Sequence, residues 1–204
     1  MYVPGHFRED RVSVLHDAMR RIGFATLVTH GPEGVEANHL PLLLDAEKGV
    51  LRGHVARANP VWKSAHGEAL AVFLGPNAYI TPNWYPSKAE HGKAVPTWNY
   101  ITVHARGPLS WFQDEAWLRA NVGALSAAHE ADRENPWAIG DAPAGYIESM
   151  LRGIVGVEIA ITRLEGKWKL SQNRETRDRD GVRDGLFRDG GDARLDVARL
   201  MGEP

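Results

Sequence analysis

Apolar residues near the start of the chain recur every three or four positions, which is the spacing of one helix face. The pattern predicts a helix over 10–22. After Gly23 the period changes to two, and three short strands separated by turn residues are predicted at 24–29, 35–44 and 50–56. Spacers this short join antiparallel strands, so this part of the chain predicts an antiparallel meander rather than parallel β-α-β units.

The rest of the chain alternates strand patterns with helical ones. Strands are predicted at 69–74, 78–80, 95–109 and 154–164, and helices at 60–65, 113–130 and 143–151. Residues 81–96 form a long loop with three prolines, a length that is more typical of a binding loop than of a passive connector. From Arg174 the chain becomes helical, and its alternating Arg and Asp residues predict solvated faces.

These patterns predict a mainly β fold with peripheral helices (α+β). We expect one domain over 1–204, with a helical C-terminal extension from about 174 to 204. A chain of 204 residues can build one substantial core.

The amino-acid composition limits the kinds of partner that the protein could bind and the cellular compartment in which we expect it. The formal net charge of −2 gives no overall attraction to nucleic acid, so DNA binding would need a local basic patch. The chain has no cysteine, which excludes disulfides and thiolate metal sites and fits the cytoplasm. The start of the chain lacks a signal-peptide pattern, and no apolar run approaches membrane-span length. We therefore expect a cytoplasmic protein with no membrane contact.

One stretch, Gly53 to Pro60, carries the sharpest local chemistry. It follows a strand, Asn59 is a good helix N-cap, and Pro60 suits the first helical position. The N–H groups of a helix N-terminus can seat an anion, and Arg57 could add a bidentate phosphate donor. A phosphate site and an ordinary strand-to-helix corner with a solvated Arg both fit this pattern.

Two other strands carry polar residues where apolar ones would be expected. Asn38 and His39 interrupt the strand before Pro41, and their partners could be ligand atoms, backbone or water. On the strand from Val95, alternation puts Trp98, Tyr100, Thr102 and His104 on one face. That face suits a planar heteroaromatic ligand, although a wall packed under a helix has the same composition.

Near the end of the chain, residues 167–173 combine two lysines, an indole and two amides. This segment could close a pocket, within one chain or across a dimer, or it could be a solvated corner. Together with the corner and the two polar strands, it suits a phosphorylated aromatic cofactor, of which flavin mononucleotide (FMN) is the simplest choice.

Other chemistries find little support in the sequence. There is no phosphate-binding loop and no dinucleotide fingerprint. His39, His54 and His104 lie on three different predicted strands without paired spacing, so we predict no metal site. No residue stands out as a catalytic acid, base or nucleophile.

The chain resembles the PaiB family, described as FMN-binding negative transcriptional regulators. The segments that carry the resemblance run almost from end to end: Met1-Tyr2-Val3-Pro4, His39-Leu40-Pro41, Gly53-His54-Val55-Ala56-Arg57-Ala58-Asn59-Pro60, Gly75-Pro76, Tyr85-Pro86-Ser87-Lys88, Val95-Pro96-Thr97-Trp98-Asn99-Tyr100, His104, Pro136-Trp137, Asp141-Ala142-Pro143 and Lys167-Trp168-Lys169-Leu170-Ser171-Gln172-Asn173.

The resemblance implies an antiparallel FMN-binding split β-barrel that forms a homodimer, with the cofactor near the interface. The corner would hold the FMN phosphate, the strand before Pro41 would lie along the isoalloxazine ring, the later long strand would contact ring or ribityl, and the C-terminal segment would reach the partner's cofactor. The FMN-binding candidates implied in this way are Asn38, His39, Leu40, His54, Val55, Ala56, Arg57, Asn59, Trp98, Asn99, Thr102, Trp168 and Gln172.

Three functions remain open at this point. The resemblance implies a negative transcriptional regulator. The alternatives are an FMN-dependent oxidoreductase acting on a small molecule, using the chemistry of the cofactor, and a haem-binding protein of the split-barrel group.

Overall fold

The computed structural model describes residues 1–143 and 145–202. Its strands are β1 (Arg8–Glu9), β2 (Phe24–Gly31), β3 (Gly34–Pro41), β4 (Leu43–Asp45), β5 (Val50–Ala56), β6 (Glu68–Ile80), β7 (Thr97–Phe112), β8 (Ile154–Ala160) and β9 (Arg163–Lys169). Its helices are α1 (Val12–Ile22), α2 (Val61–Ser64), α3 (Lys88–His91), α4 (Glu115–Glu130), α5 (Tyr146–Leu151), α6 (Thr176–Asp189) and α7 (Asp192–Leu200).

The strands pair in the order β3-β2-β6-β7-β8-β5-β4, while β9 pairs with β1 and β7. The β2–β3 hairpin is antiparallel from Phe24 opposite Pro41 to Gly31 opposite Gly34. The β5–β8 pairing is also antiparallel, and it runs the whole length of both strands. The antiparallel prediction is therefore confirmed. The pairings of the predicted meander are also found, because the middle predicted strand pairs with β2 through β3 and with β5 through β4. The order β6-β7-β8, which connects β2 to β5 on the other side, was not predicted.

Two strand boundaries differ from the prediction for identifiable reasons. The predicted strand at 35–44 breaks at Leu42, whose N–H donates to the Gly23 carbonyl, and the chain changes its pairing partner there from β2 to β5. The predicted break at Gly75-Pro76-Asn77 does not occur, and β6 runs through it. Proline fixes φ at a value that an extended chain can also use, so it does not by itself end a strand.

The chain divides into two compact units, each built from separate segments. The first unit holds 1–18, 74–103 and 165–204, and the second holds 19–73 and 104–164. The single-domain expectation stays a prediction.

The core of the first unit is formed largely by the C-terminal helices. α6 buries Val182 and Leu186 completely. A Cβ at Gly185 would lie 2.4 Å from the Trp84 ring, so α6 packs closely on this indole. The expectation that the charged C-terminal segment has solvated faces is therefore wrong for one face of α6, because glycines and apolar residues at helical spacing were hidden among its charges.

The second unit packs α4 against β5 and β8. The Asn121 side chain donates to the Gly53 carbonyl at 3.0 Å. A Cβ at Gly156 would lie 2.1 Å from the Trp117 ring, which in turn stacks on Phe112 with ring centroids 4.4 Å apart. The hydrogen bond from α4 thus holds β5 in place at Gly53, close to the corner that follows the strand. Within the described part of the chain, no helix combines the length and apolar character needed to cross a membrane.

We predict that Gly107→Ala destabilises the protein by about 3 kcal/mol, at the upper end of the range for overpacking. A Cβ at Gly107 would lie 1.7 Å from the Ala160 carbonyl oxygen, so backbone would have to move. Gly140→Ala is the matched control, because its Cβ would meet no atom within 4 Å and should change stability by less than about 0.5 kcal/mol. Urea unfolding measures both, and equal midpoints for the two variants would contradict the packing argument.

Candidate functional site

The corner after β5 forms as a short turn into α2. The helix begins at Val61, one residue later than predicted, and Pro60 takes the cap position. Asn59 keeps the expected capping chemistry, because its side-chain carbonyl accepts a hydrogen bond from the Val61 N–H at 3.0 Å. The Asn59 N–H donates to the Ala56 carbonyl at 2.9 Å, which closes the turn.

The same asparagine joins the corner to β3. The Asn59 amide donates to the Asn38 side-chain carbonyl at 2.6 Å, and the Asn38 amide donates to Glu36 at 3.1 Å. Two segments that the sequence indicated separately therefore lie side by side in the second unit. His39 is also on this strand, where its side chain is exposed and its Nδ1 lies 3.1 Å from the Thr26 hydroxyl.

Arg57 lies at this corner, but most of its contacts are internal. Its Nε donates to the Arg152 carbonyl at 2.7 Å, one terminal nitrogen donates to Gln113 at 2.7 Å, and the other donates to the Ile154 carbonyl at 3.0 Å. A guanidinium has five N–H donors, so two are left for a ligand. Arg57 thus ties the corner to the start of β8, and its phosphate role stays a prediction.

The glycine that opens the corner motif is required by close packing. A Cβ at Gly53 would lie 2.7 Å from the Pro41 carbonyl oxygen and 2.9 Å from the Leu42 side chain. Any larger residue would push β5 away from the end of β3. The close approach of β5 to the end of β3, and with it the Asn38–Asn59 contact, depends on this glycine.

Side chains along the predicted ligand strands divide between core and surface. Leu40 and Val55 are buried, so either could reach a ligand only through its backbone. Ala56 is exposed at the end of β5. The polar candidates Asn38, His39 and Asn59, together with the free N–H groups of Arg57, are therefore the side chains through which this group could bind.

His54 lines a groove of about 300 Å³ beside α4. The other lining residues are Pro41, Val122, Leu125, Ser126, His129, Glu130 and Trp137. Its Nδ1 is buried without a hydrogen-bond partner in the described part of the chain. Desolvation by burial lowers the pKa of His54, so the neutral imidazole is favoured.

The second group of candidates lies in the first unit, on β7, at the end of β9 and in the segment after β9. Trp98 is 53% exposed and makes an edge-on contact with Tyr79 at 6.0 Å between ring centroids. Asn99 and Thr102 are buried. Asn99 exchanges hydrogen bonds with the Ser171 hydroxyl, at 3.0 Å and 3.2 Å, and its amide also reaches the Met201 sulfur.

The segment after β9 is a tight turn that its own side chains hold. The Gln172 side chain accepts from the Leu170 N–H at 2.8 Å and donates to the Trp168 carbonyl at 2.6 Å. Ser171 has φ +65°, a left-handed conformation that is uncommon for residues other than glycine, and Asn99 anchors it. The motif was recognised in the sequence, but the role of Ser171, which joins this turn to Asn99, was not predicted.

The structure thus brings the predicted residues together in two groups. The corner group in the second unit holds Asn38, His39, Leu40, His54, Val55, Ala56, Arg57 and Asn59, and the strand group in the first unit holds Trp98, Asn99, Thr102, Trp168 and Gln172. Sequence analysis missed Gln113, which binds Arg57, because a glutamine after a strand carries no sign of a partner 56 residues away. Within 1–143 and 145–202, no cluster of three or more His, Cys, Asp or Glu side chains could hold a metal ion.

Comparison of sequences gives matches over most or all of the chain. The family model described as "Putative FMN-binding domain" matches residues 1–163. Protease synthase and sporulation protein PAI 2 of Bacillus subtilis is 31% identical over 205 residues, which cover 98% of this chain and 96% of PAI 2. An uncharacterized protein of Emericella nidulans is 32% identical over 243 residues, which cover all of this chain and 97% of that protein.

Comparison of structures identifies the fold. The FAD and haem binding protein of Mycobacterium smegmatis superposes with a TM-score of 0.62 at 13% identity, covering 90% of this chain and 80% of that one. The flavocytochrome Anf3 of Azotobacter vinelandii gives a TM-score of 0.58 at 10% identity, covering 87% and 80%. At these identities the likeness concerns the fold alone, and it confirms the predicted split β-barrel class.

We predict that His54 makes the protein less stable as the pH falls from about 7.5 to 5.5. Because the pKa of His54 is lower in the folded than in the unfolded state, the unfolded state binds more protons below about pH 6.5. The stabilising contribution is complete above the unfolded pKa and is lost as the pH falls toward the folded pKa. The slope from one such proton is at most about 1.4 kcal/mol per pH unit.

Urea unfolding at several pH values measures this slope. His54→Gln should flatten it, whereas His66→Gln, at an exposed position, should leave it unchanged. An unaltered slope in His54→Gln would assign the pH dependence to other groups.

Proposed function

Because this chain belongs to the FMN-binding PaiB family, which includes PAI 2, we propose that it is an FMN-binding negative regulator of transcription. The observation that carries the proposal is the match to PAI 2, which extends over nearly the full length of both chains. The name of that relative links it to protease synthesis and sporulation, and regulation of genes of this kind is the role we propose here.

FMN is the cofactor of the family, and the corner group has suitable chemistry for it. The asparagine side chains at positions 38 and 59 hold each other in place, which lowers the entropy lost when a ligand is bound. Arg57 keeps two N–H donors that could bind a phosphate, and the His39 side chain is exposed on β3. Bound FMN supplies electron-transfer chemistry that amino-acid side chains lack.

The charges of the C-terminal helices favour regulation through a partner protein over direct DNA binding. α6 holds four Arg and four Asp residues, which cancel in formal charge. Arg183 pairs with Asp180 at 3.1 Å, and on α7 Arg199 pairs with Asp196 at 2.7 Å. A surface that binds the DNA backbone needs an excess of cations, and these helices have none.

A homodimer in the cytoplasm, with the cofactor near the interface, is part of the same proposal. Its support is that β3 lies at one end of the strand order, with Val35 74% exposed. An edge strand of this kind is a natural place for another chain to associate.

We predict that Arg57→Ala weakens FMN binding by about 1.5–3 kcal/mol, the range for a hydrogen bond to a charged group. Titration of the apoprotein, followed by flavin fluorescence, measures the affinity. The matched control is Gln113→Ala, which removes one internal partner of Arg57 and keeps the guanidinium. It should bind FMN within about twofold of the unchanged protein, since its loss leaves the other two anchors.

The outcome for Arg57→Ala and two spectroscopic measurements distinguish the proposal from its alternatives. Unchanged FMN affinity in Arg57→Ala would contradict the assignment of Arg57 to the FMN phosphate. The absorbance spectrum of the purified protein separates a flavin from a haem, because only haem gives a Soret band. Bleaching of the flavin by NADH or NADPH without oxygen would favour the oxidoreductase alternative over the regulator.

We predict that the pure protein is not retained by duplex DNA at physiological salt, and only weakly at low salt. The reason is the balance of charges on α6 and α7 together with the net charge of −2. Gel-shift assays over a salt series check this. Tight retention that falls steeply with salt would show direct DNA binding and contradict the partner model.

A further inference from the structure

A row of cations lies along one face of the β1–β9 ladder in the first unit. Arg8 is directly opposite Lys167 in the antiparallel register. Lys169 follows two residues later on β9, so it points to the same side of the strand as Lys167. Like charges directly opposite each other in a sheet are destabilising. We name this set, Arg8, Lys167 and Lys169, the cationic face.

The lysines of this face bind neutral oxygens. The Lys169 Nζ donates to the Thr97 hydroxyl at 2.6 Å and also to the Trp98 carbonyl, and the Lys167 Nζ donates to the Tyr2 carbonyl at 3.3 Å. Each ammonium has three N–H groups, so donors remain on both.

The nearby carboxylates are already paired elsewhere. Glu9 binds Arg11 at 2.8 Å, and Glu165 binds the Met1 ammonium at 3.1 Å. Across residues 1–143 and 145–202, no carboxylate forms an ion pair with any member of the cationic face. None of the three cations is therefore neutralised by a direct ion pair in the described chain.

Aromatic rings surround the two lysines. The Lys167 Nζ lies 5.9 Å from the Tyr2 ring centroid and 5.4 Å from that of Tyr100, and the Lys169 Nζ lies 5.9 Å from that of Phe7. Such contacts hold a cation in place without neutralising it. Burial, and then the neighbouring cations Lys167 and Arg174, lower the pKa of Lys169, which is the direction expected where a counter-anion is missing.

We propose that the cationic face binds a small oxyanion, the carboxylate or phosphate group of an effector molecule other than FMN. Arg8 offers the planar guanidinium that matches an oxyanion, and the two lysines add charge from the adjacent strand. The face has three cations on two adjacent strands, whereas a nucleic-acid surface would extend as a longer stripe of cations. The proposed regulator would gain in this way a site through which a metabolite could act.

The two lysines of residues 167–173 were noted in the sequence, but that segment was assigned to a phosphorylated aromatic cofactor and not to a separate effector. Lys-Trp-Lys at 167–169 places two cations on one face of a strand. Both lysines lie beyond residues 1–163, the part of the chain that matches the family model. The face could therefore not be inferred from that match.

The experiment uses the full chain saturated with FMN and labelled with ¹³C at its lysines. Inorganic phosphate and acetate are titrated separately at constant ionic strength, and the lysine side-chain signals are followed by NMR. We expect saturable shifts of the Lys167 and Lys169 signals, and a rise in the pKa of Lys169 when the anion is bound, because an anion stabilises the ammonium form. The probe that binds more tightly distinguishes a phosphate from a carboxylate effector.

Variants connect the shifts to the cationic face. Arg8→Gln and Lys167→Gln should each raise the Kd for the better probe about tenfold or more, the effect of losing one charged hydrogen bond. Lys93→Gln is the matched control, because this lysine is exposed in the same unit and should leave the Kd unchanged. Arg8→Gln should not lower the melting temperature, since it removes a like-charge contact; a lower melting temperature would indicate a structural role instead.

Several results would overturn the proposal. One is the absence of saturable lysine shifts with either probe up to tens of millimolar. Another is the same Kd in the unchanged protein and in both variants. Shifts that appear in the apoprotein and vanish when FMN is bound would assign the face to the FMN phosphate. Shifts with duplex DNA but not with the small anions would make it a nucleic-acid surface.

Discussion

The corner of the second unit depends on the Arg57 guanidinium, which joins three parts of the chain that are distant in sequence. Two of its partners are the backbone carbonyls of Arg152 and Ile154 at the start of β8, and the third is the side chain of Gln113 before α4. A cation held by neutral acceptors keeps its full charge, whereas a carboxylate partner would cancel it. The corner is therefore fixed in shape and still electropositive, which is the combination that an anion site needs.

The asparagines show the same principle with neutral groups. Asn59 binds the α2 N-terminus with its oxygen and Asn38 with its nitrogen, so one side chain sets both the turn and its distance from β3. In the first unit, Asn99 sets the left-handed Ser171 in a similar way. The side-chain amides of Asn59 and Asn99 thus fix the backbone around them. The residues that could contact a ligand are the neighbours of these asparagines.

Patterns in the sequence predicted the classes of element well and their connections poorly. The period-two runs gave β2 and β5 to within two residues, because alternation reflects burial of one strand face. The order of the strands could not follow from such runs, since pairing of β2 with β6 depends on contacts more than 40 residues apart. The same limit applies to side chains. Arg57, Asn59 and Asn99 were identified as candidates for FMN binding, but their polarity does not say whether the partner is a ligand or a group from a remote part of the chain.

Two parts of the first unit compensate their cations differently, and the difference decides which cations keep charge for a ligand. On α6 and α7, Arg183 and Arg199 each have an aspartate three residues away, so the charges cancel locally at little cost. On the β1–β9 ladder, Arg8 and Lys167 face each other across the strands with no such neighbour. Folding alone favours the first arrangement, because like charges placed in register cost free energy that a neutral pair would not. A chain that compensates its charges so regularly in one segment and not in the next is best explained if the uncompensated charges serve binding, since a bound oxyanion would supply the missing counter-charge.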